Sequence, residues 1–201
     1  MTIADRTFVQ IRTAIVEGHI AAGSKISEPE LAKEYGISRG PLREAIGRLE
    51  ACGLVVRQTH VGARVVSLSA EGLLEIYHIR EALESMAARL AAQNMSSDEI
   101  AELKRLLMRH DEQIAGDEQG AYFQREGDLD FHFRIIAGSH NDHLINLMVN
   151  DLYHLMRMYR YQYGMSSGAA RTRRAFAEHS YIVDSIEARD ADMAELMMRR
   201  H

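Results

Sequence analysis

The pattern of apolar positions changes near residue 68. Before it, apolar residues recur at helical spacing in three short segments, and two runs rich in β-branched residues follow. After it, helical periodicity continues, and because both prolines, Pro29 and Pro41, lie in the first quarter, the strongest helix breaker is absent from the rest. The pattern predicts a mainly α-helical protein with two domains, a winged helix-turn-helix at residues 1–68 and an antiparallel helical bundle at residues 69–201.

In the first domain, short sequence patterns predict three helices followed by two strands. A first helix carries Phe8, Ile11 and Ile15 on one face, and Ser27-Glu28-Pro29-Glu30 forms a capping box for a second helix that ends near Tyr35. Gly36 permits the tight turn to a third helix, which begins after Ser38. The runs 54–56 and 63–66 then predict two strands joined by a turn, which together form the wing.

The start of the third helix has the chemistry of a DNA-reading surface. Arg39 and Arg43 are four residues apart and share a helix face, and guanidinium groups suit the O6 and N7 acceptors of guanine. Ser38 and the free amides beside it suit a phosphate, and Gly40 allows close approach. Further candidate phosphate or minor-groove contacts are Lys33, Arg57, His60 and Arg64. The alternative is that these arginines are only solvated helix charges.

This first domain resembles the GntR family of bacterial repressors. The resemblance rests on the segments 15–28, 31–32, 36–39, 41–45, 49–50 and 53–55. It implies that Arg39 and Arg43 read DNA. One departure is Pro29, where some relatives carry an arginine that touches DNA. Without that arginine, the wing is expected to contribute more of the DNA affinity.

The second domain is predicted as a bundle of helices. The first helix has an inward face of Ile76, Ile79, Leu83, Met86, Ala87 and Leu90. The other helices are expected after Ser96, over 119–137, from Asn141 onward, over 172–188 and from Asp190. The methionines fit as core residues.

Four polar residues on these helices form a candidate metal site. Asp128 and His132 are four residues apart on one helix face, and His179 and His201 lie on apolar faces of two later helices. Three imidazoles and one carboxylate that converge in a bundle would accept Zn²⁺, Ni²⁺, Fe²⁺ or Mn²⁺. The alternative is that Asp128 and His132 form only an ion pair.

The second domain resembles the ligand-binding domain called FCD, which is attached to FadR-like members of the GntR family. The resemblance rests on 79–84, 87–92, 128–132, 178–179 and His201, and it implies that Asp128, His132, His179 and His201 are metal ligands. Arg80 is the leading candidate to bind an effector carboxylate, with a structural pair to Glu84 as the alternative, and Arg157 is a second candidate. Similarity of the first domain to regulators of propionate and methylcitrate metabolism implies a citrate-like effector.

Charge and composition are compatible with these roles. The net charge is −5, yet residues 1–68 carry nine basic and seven acidic side chains, so the negative surplus lies in residues 69–201. A single cysteine, Cys52, and the lack of a signal-peptide core or a membrane span favour a cytoplasmic protein that does not contact a membrane.

We therefore expect a homodimeric transcriptional regulator, and not an enzyme, that binds operator DNA as a repressor and responds to a small carboxylate at a divalent metal site. The alternatives are a metal-dependent enzyme built on a helical bundle and a constitutive DNA-binding protein with a structural metal site.

Overall fold

The computed structural model describes residues 1–58, 62–115, 127–163 and 169–201. Its elements in chain order are α1 (Ile3–Val16), α2 (Glu28–Glu34), α3 (Arg39–Ala51), β1 (Val55–Gln58), β2 (Gly62–Val65), α4 (Ala70–Asn94), α5 (Ser97–Ala115), α6 (Gly127–Gly138), α7 (Asp142–Asn146), a π-helical stretch (Leu147–Leu152), α8 (Tyr153–Tyr163), α9 (Ala169–Glu187) and α10 (Ala191–Arg200). This order confirms the predicted mainly helical fold with an N-terminal winged helix-turn-helix. None of the helices in the described ranges is long and apolar enough to cross a membrane.

The chain forms two compact units. Unit 1 comprises residues 1–74 and 150–164, and unit 2 comprises residues 75–149 and 165–201. Unit 1 therefore contains the helix-turn-helix, the strands and α8, while unit 2 contains the helices that carry the predicted metal ligands.

The turn between α2 and α3 follows from local chemistry. Tyr35 ends α2, and Gly36 then takes a φ of +63°, a left-handed conformation that glycine adopts without a steric penalty. Ser27 and Ser38 occupy the N-cap positions of α2 and α3, as predicted, but within the described residues neither side chain bonds the helix start, so the predicted capping box is wrong. The first amides of both helices are left to other partners.

The wing is a two-stranded antiparallel sheet. Val55 pairs with Val65 and Gln58 pairs with Gly62. The segment before α2 adds to this sheet, because the amide of Ile26 donates to the carbonyl of Ala63 at 2.9 Å. Of the predicted wing turn at 59–62, residues 59–61, including His60, lie outside the described residues, and Gly62 begins β2.

The core of unit 1 draws residues from both parts of the sequence. Ile11, Ile15, Leu42, Ile46, Leu49 and Leu54 are fully buried in it, and so is Met158 of α8. A second tie is the contact between Arg12 of α1 and His154 of α8, whose Nη1 and Nε2 atoms lie 3.2 Å apart. Helix α8 is thus a structural part of the unit that carries the helix-turn-helix.

In unit 2, α5 packs against α6 and α9, and α9 packs against α10. Leu103, Phe131, Ile135, Ile182 and Ile186 form its fully buried centre. The predicted inward face of α4 is wrong in part: Ile76 and Ala87 are buried, but Ile79 and Met86 are 46% and 42% exposed. The buried face of α4 is shifted toward its small residues, including Ala88, Ala91 and Ala92.

Candidate functional sites

The arginines at the start of α3 lie on the surface of unit 1. Leu42, Ala45, Ile46 and Leu49 form the buried face of α3, and both Arg39 and Arg43 are exposed. Arg39 makes no hydrogen bond or ion pair in the described part of the chain. A Cβ at Gly40 would meet no described atom within 4 Å, so the surface beside Arg39 is low and open. The sequence placed these residues on one open face, and the structure brings them together there.

Arg43, in contrast, is held by a neighbouring helix. Its Nε donates to Oε2 of Glu28, in the first turn of α2, at 2.8 Å. The Arg43 side chain remains 69% exposed, while that of Glu28 is 24% exposed. Sequence reasoning missed Glu28 as a partner of this surface.

The other predicted DNA contacts are spread around the same unit. Lys33 is exposed near the end of α2, and Arg57 on β1 lies 3.4 Å from the carboxylate of Glu50. Arg64 on β2 donates from Nη1 to the carbonyl of Gly23 at 2.7 Å, which ties the wing to the loop after α1. A role for these residues at DNA stays a prediction.

Three of the four predicted metal ligands converge in unit 2. His132 lies on α6, His179 on α9, and His201 directly after α10. One ligand nitrogen from each lies within 4.8 Å of the others. His132 and His179 are buried, and the His201 side chain is 13% exposed.

The spacing of two of the ring nitrogens suits a shared cation. The Nε2 atoms of His179 and His201 are 3.2 Å apart. Two nitrogens bound to one Zn²⁺ at about 2.1 Å with tetrahedral angles lie about 3.4 Å apart, so the observed separation is close to that of a common ion. The ring of Phe131 stacks on His179 with the centroids 3.9 Å apart, and this contact holds the imidazole in place.

Carboxylates lie beside the outer nitrogens of two histidines of this triad. Nδ1 of His132 lies 3.0 Å from Oε2 of Glu84, and Nδ1 of His201 lies 2.9 Å from Oε2 of Glu178. A carboxylate at Nδ1 favours the tautomer whose proton is on that nitrogen, which leaves the Nε2 lone pair for a metal. The donor set and its support therefore fit a divalent transition-metal ion.

Glu84 also forms a buried pair with Arg80. The guanidinium donates from Nε and Nη2 to the two carboxylate oxygens at 2.7 and 3.0 Å, and both side chains are less than a tenth exposed. Burial alone would raise the pKa of Glu84, but the positive charge of Arg80, together with the nearby ring of His132, outweighs burial and lowers that pKa to about 2. Of the two alternatives for Arg80, the structure shows the pair with Glu84, and a contact of Arg80 with an effector stays a prediction.

The two remaining site predictions, Asp128 and Arg157, have different outcomes. Asp128 lies in the first turn of α6, one turn before His132, but its side chain lies outside the described residues. Arg157 lies on α8 in unit 1, where burial lowers its pKa and where the charged neighbours include Arg12 and Glu17. Arg157 and the histidines thus belong to different units.

Glu84 and Glu178 are the residues near the triad that sequence reasoning missed in this role. Glu84 was considered only as a partner for Arg80 one helical turn away. Glu178 precedes His179 directly, yet it bonds His201 from another helix. The available signal was that inward histidines need an acceptor for their second ring nitrogen, and acidic residues one turn away on neighbouring helices are candidates for that role.

Comparisons with known proteins agree with both halves of the prediction. Residues 3–65 match the family described as bacterial regulatory proteins, gntR family, and residues 75–201 match the FCD domain. The HTH-type transcriptional regulator YdhC of Bacillus subtilis is 31% identical over 96% of this chain and 84% of its own length. The probable D-xylose utilization operon transcriptional repressor of Paenarthrobacter nicotinovorans is 29% identical over 100% of this chain and 85% of its own length.

A solved structure shares the fold. That of Escherichia coli McbR/YncC gives a TM-score of 0.78 over 100% of this chain and 94% of its own, at 22% sequence identity. The arginine-bearing helix and wing match one family, and the helices with the histidine triad match the other. The chain therefore belongs to the GntR family of bacterial regulatory proteins, carries an FCD domain after its winged helix-turn-helix, and is a DNA-binding transcriptional regulator.

Proposed function

We propose that this regulator is a repressor whose operator affinity is set by a small carboxylate bound at a metal centre in unit 2. Relatives include proteins named as repressors of sugar-acid and sugar operons. The observation that carries the proposal is the convergence of His132, His179 and His201, with two of the three rings held through Nδ1 by carboxylates. A purely structural ion pair would not need three imidazoles with ring nitrogens within 4.8 Å of one another.

On the DNA side, Arg39 and Arg43 read base edges in the major groove. Both are exposed on α3, and the low surface at Gly40 allows the groove to approach. Ser38 and the first amides of α3 bind a phosphate, since the Ser38 side chain does not cap the helix among the described residues. Lys33, Arg57, Arg64 and His60 add phosphate or minor-groove contacts around the wing.

On the sensing side, the three histidines and Asp128 would hold a divalent transition-metal ion. When bound, the ion would supply positive charge and open coordination positions for a carboxylate, and a citrate-like acid is the proposed class. The chain's own contribution is orientation: Glu84 and Glu178 fix two imidazoles, and Phe131 packs on the third.

The repressor acts as a homodimer in the cytoplasm. Ile79 and Met86 leave an apolar face of α4 exposed to water. Burial of this face against a second copy of the chain would be favourable. A dimer would place two copies of α3 on an operator with two-fold symmetry.

The test measures operator affinity while the metal and the carboxylate are varied. The operator is isolated by selection from random duplex DNA, and fluorescence anisotropy follows binding by metal-loaded and chelated protein in the presence of citrate and other small carboxylates. We expect one carboxylate to weaken operator binding of the metal-loaded protein by about 5- to 150-fold, and to have no effect after chelation. Operator binding that ignores both metal and carboxylates would refute the sensing role and support a constitutive DNA-binding protein.

A further inference from the structure

Glu28 on α2 makes the two DNA-facing arginines of α3 unlike each other. Nε of Arg43 donates to Glu28 at 2.8 Å, whereas Arg39, one turn earlier on the same face, has no such partner within the described ranges. This contact is independent of the metal site, which lies in the other unit.

The atom that Glu28 binds determines what Arg43 has left to offer. A guanidinium can present a pair of N–H groups to guanine either from its side, through Nε and one Nη, or from its end, through Nη1 and Nη2. Because Nε is engaged by the carboxylate, only the end-on pair remains. We propose that Glu28 is a positioning residue that fixes Arg43 to read a guanine through Nη1 and Nη2, an inference that rests on the proposed role of α3 at DNA.

The surroundings of Glu28 suit the fixed end of such a pair. Its side chain is 24% exposed against 69% for Arg43, so the carboxylate is the anchored partner and the guanidinium the projecting one. Glu28 lies in the first turn of α2, where the helix dipole favours a negative charge. An arginine already held in one orientation loses less rotamer freedom when it binds a base.

A positioning role and a purely electrostatic role predict opposite results. A carboxylate near DNA repels phosphates, so its removal should tighten binding to every sequence. Loss of positioning should instead weaken the base preference at the operator position that Arg43 reads and leave the preferences at the other positions unchanged.

The experiment measures base preferences of the full-length protein by selection from random duplex DNA. The Arg43→Ala and Arg39→Ala variants first identify the position that each arginine reads. We expect Glu28→Ala to reduce the preference at the Arg43 position by about three- to tenfold, part of the roughly 5- to 150-fold that one bidentate contact supplies, and to leave the Arg39 position unchanged. Glu28→Gln should retain most of the preference, because the amide oxygen can still accept from Nε.

Glu30→Ala is the matched control, since it removes an exposed charge from the same turn of α2. It should change affinity for all sequences alike and alter no base preference. In an Arg43→Ala background, Glu28→Ala should have no further effect on the profile.

Three results for the Glu28→Ala variant would overturn the inference, and a fourth comes from Arg43→Ala. The Glu28→Ala variant could keep the full base preference at the Arg43 position, or its base preferences could equal those of Glu30→Ala. It could also lose base preference at every position and melt at a lower temperature, which would indicate a structural role for Glu28. If Arg43→Ala itself leaves the profile unchanged, the proposed reading by α3 fails at that residue, and the positioning role of Glu28 is refuted with it.

Discussion

Replacing Glu84 with glutamine tests whether the buried pair in α4 supports both the fold and the histidine triad. In the structure the Glu84 carboxylate accepts two hydrogen bonds from Arg80 and faces Nδ1 of His132 at 3.0 Å, with its side chain 8% exposed. Removing one member of a buried pair leaves the other charge without compensation and costs about 3–5 kcal/mol. Because total stabilities of domains are about 5–15 kcal/mol, Glu84→Gln should lower the urea midpoint of the metal-free protein clearly.

The same change should also affect the metal site. Loss of a carboxylate behind a ligating histidine lowers metal affinity by about 10- to 100-fold, and calorimetric titration with Zn²⁺ measures that loss. Glu81→Gln, an exposed change on the same helix, is the control and should alter neither quantity.

A double variant separates charge compensation from packing. Arg80→Leu combined with Glu84→Leu removes both charges and should be much less destabilising than either single change. Single variants with a stability within about 0.5 kcal/mol of the wild type would show that the buried pair does not stabilise the fold. If Arg80→Gln leaves the stability unchanged and abolishes the response to carboxylates, Arg80 contacts the effector instead.

Three further predictions concern unit 1. Met158→Ala should cost about 2–5 kcal/mol, because Met158 is fully buried in the core cluster that also contains residues of α1 and α3. Met108→Ala, at a 66% exposed site, should change stability little. In the Met158 variant, hydrogen exchange should speed up in α1 and α3, and a loss of protection confined to unit 2 would contradict this. Burial and the neighbouring charge of Arg12 lower the pKa of His154 from 6.5 to about 4 in the folded protein. Because the unfolded chain takes up this proton at a higher pH than the folded one, the free energy of unfolding should decrease by on the order of 3 kcal/mol as the pH falls from 6.5 to 4. Stability curves of His154→Leu should lack that part of the pH dependence, and curves parallel to the wild type would refute it. Arg39→Ala should reduce the preference for one base by about 1–3 kcal/mol in competition binding, and an equal loss for all sequences would make Arg39 a phosphate contact.

Local patterns predicted much of the fold. Periodic apolar positions located α1 and α3, Gly36 located the turn between α2 and α3, and β-branched runs located β1 and β2. These signals depend on neighbours in sequence, and local propensity and tertiary packing agree at these points.

The partner of an amphipathic face could not be predicted in the same way. The periodicity from Asn141 onward indicated a helix with an apolar face, but the pattern does not state what covers that face. The structure divides this segment into α7, a π-helical stretch and α8, and places Met158 in the core of unit 1. The exposed side of α4 at Ile79 and Met86 is a second example, since periodicity alone cannot distinguish a face buried in the core from one that is exposed.

Spacing along the chain and family resemblance predicted the arginines and the histidines of the candidate sites, but not the carboxylates beside them. The arginines of α3 share an open face and the three histidines converge. The carboxylates Glu28, Glu84 and Glu178 were missed in their observed roles, because a hydrogen bond between side chains of different helices depends on packing that the spacing along one helix does not contain.

The metal centre of unit 2 can be tested by comparing the metal bound to the wild type with the metal bound to a His179→Ala variant. Both proteins are loaded with Zn²⁺ or Ni²⁺, dialysed, and analysed by native mass spectrometry, with circular dichroism to confirm that the helices are retained. We expect one divalent ion for each wild-type chain and its loss from the folded variant. A wild-type chain that retains no ion, or a variant that retains it with equal affinity, would contradict the claim that the imidazoles of unit 2 form a metal centre.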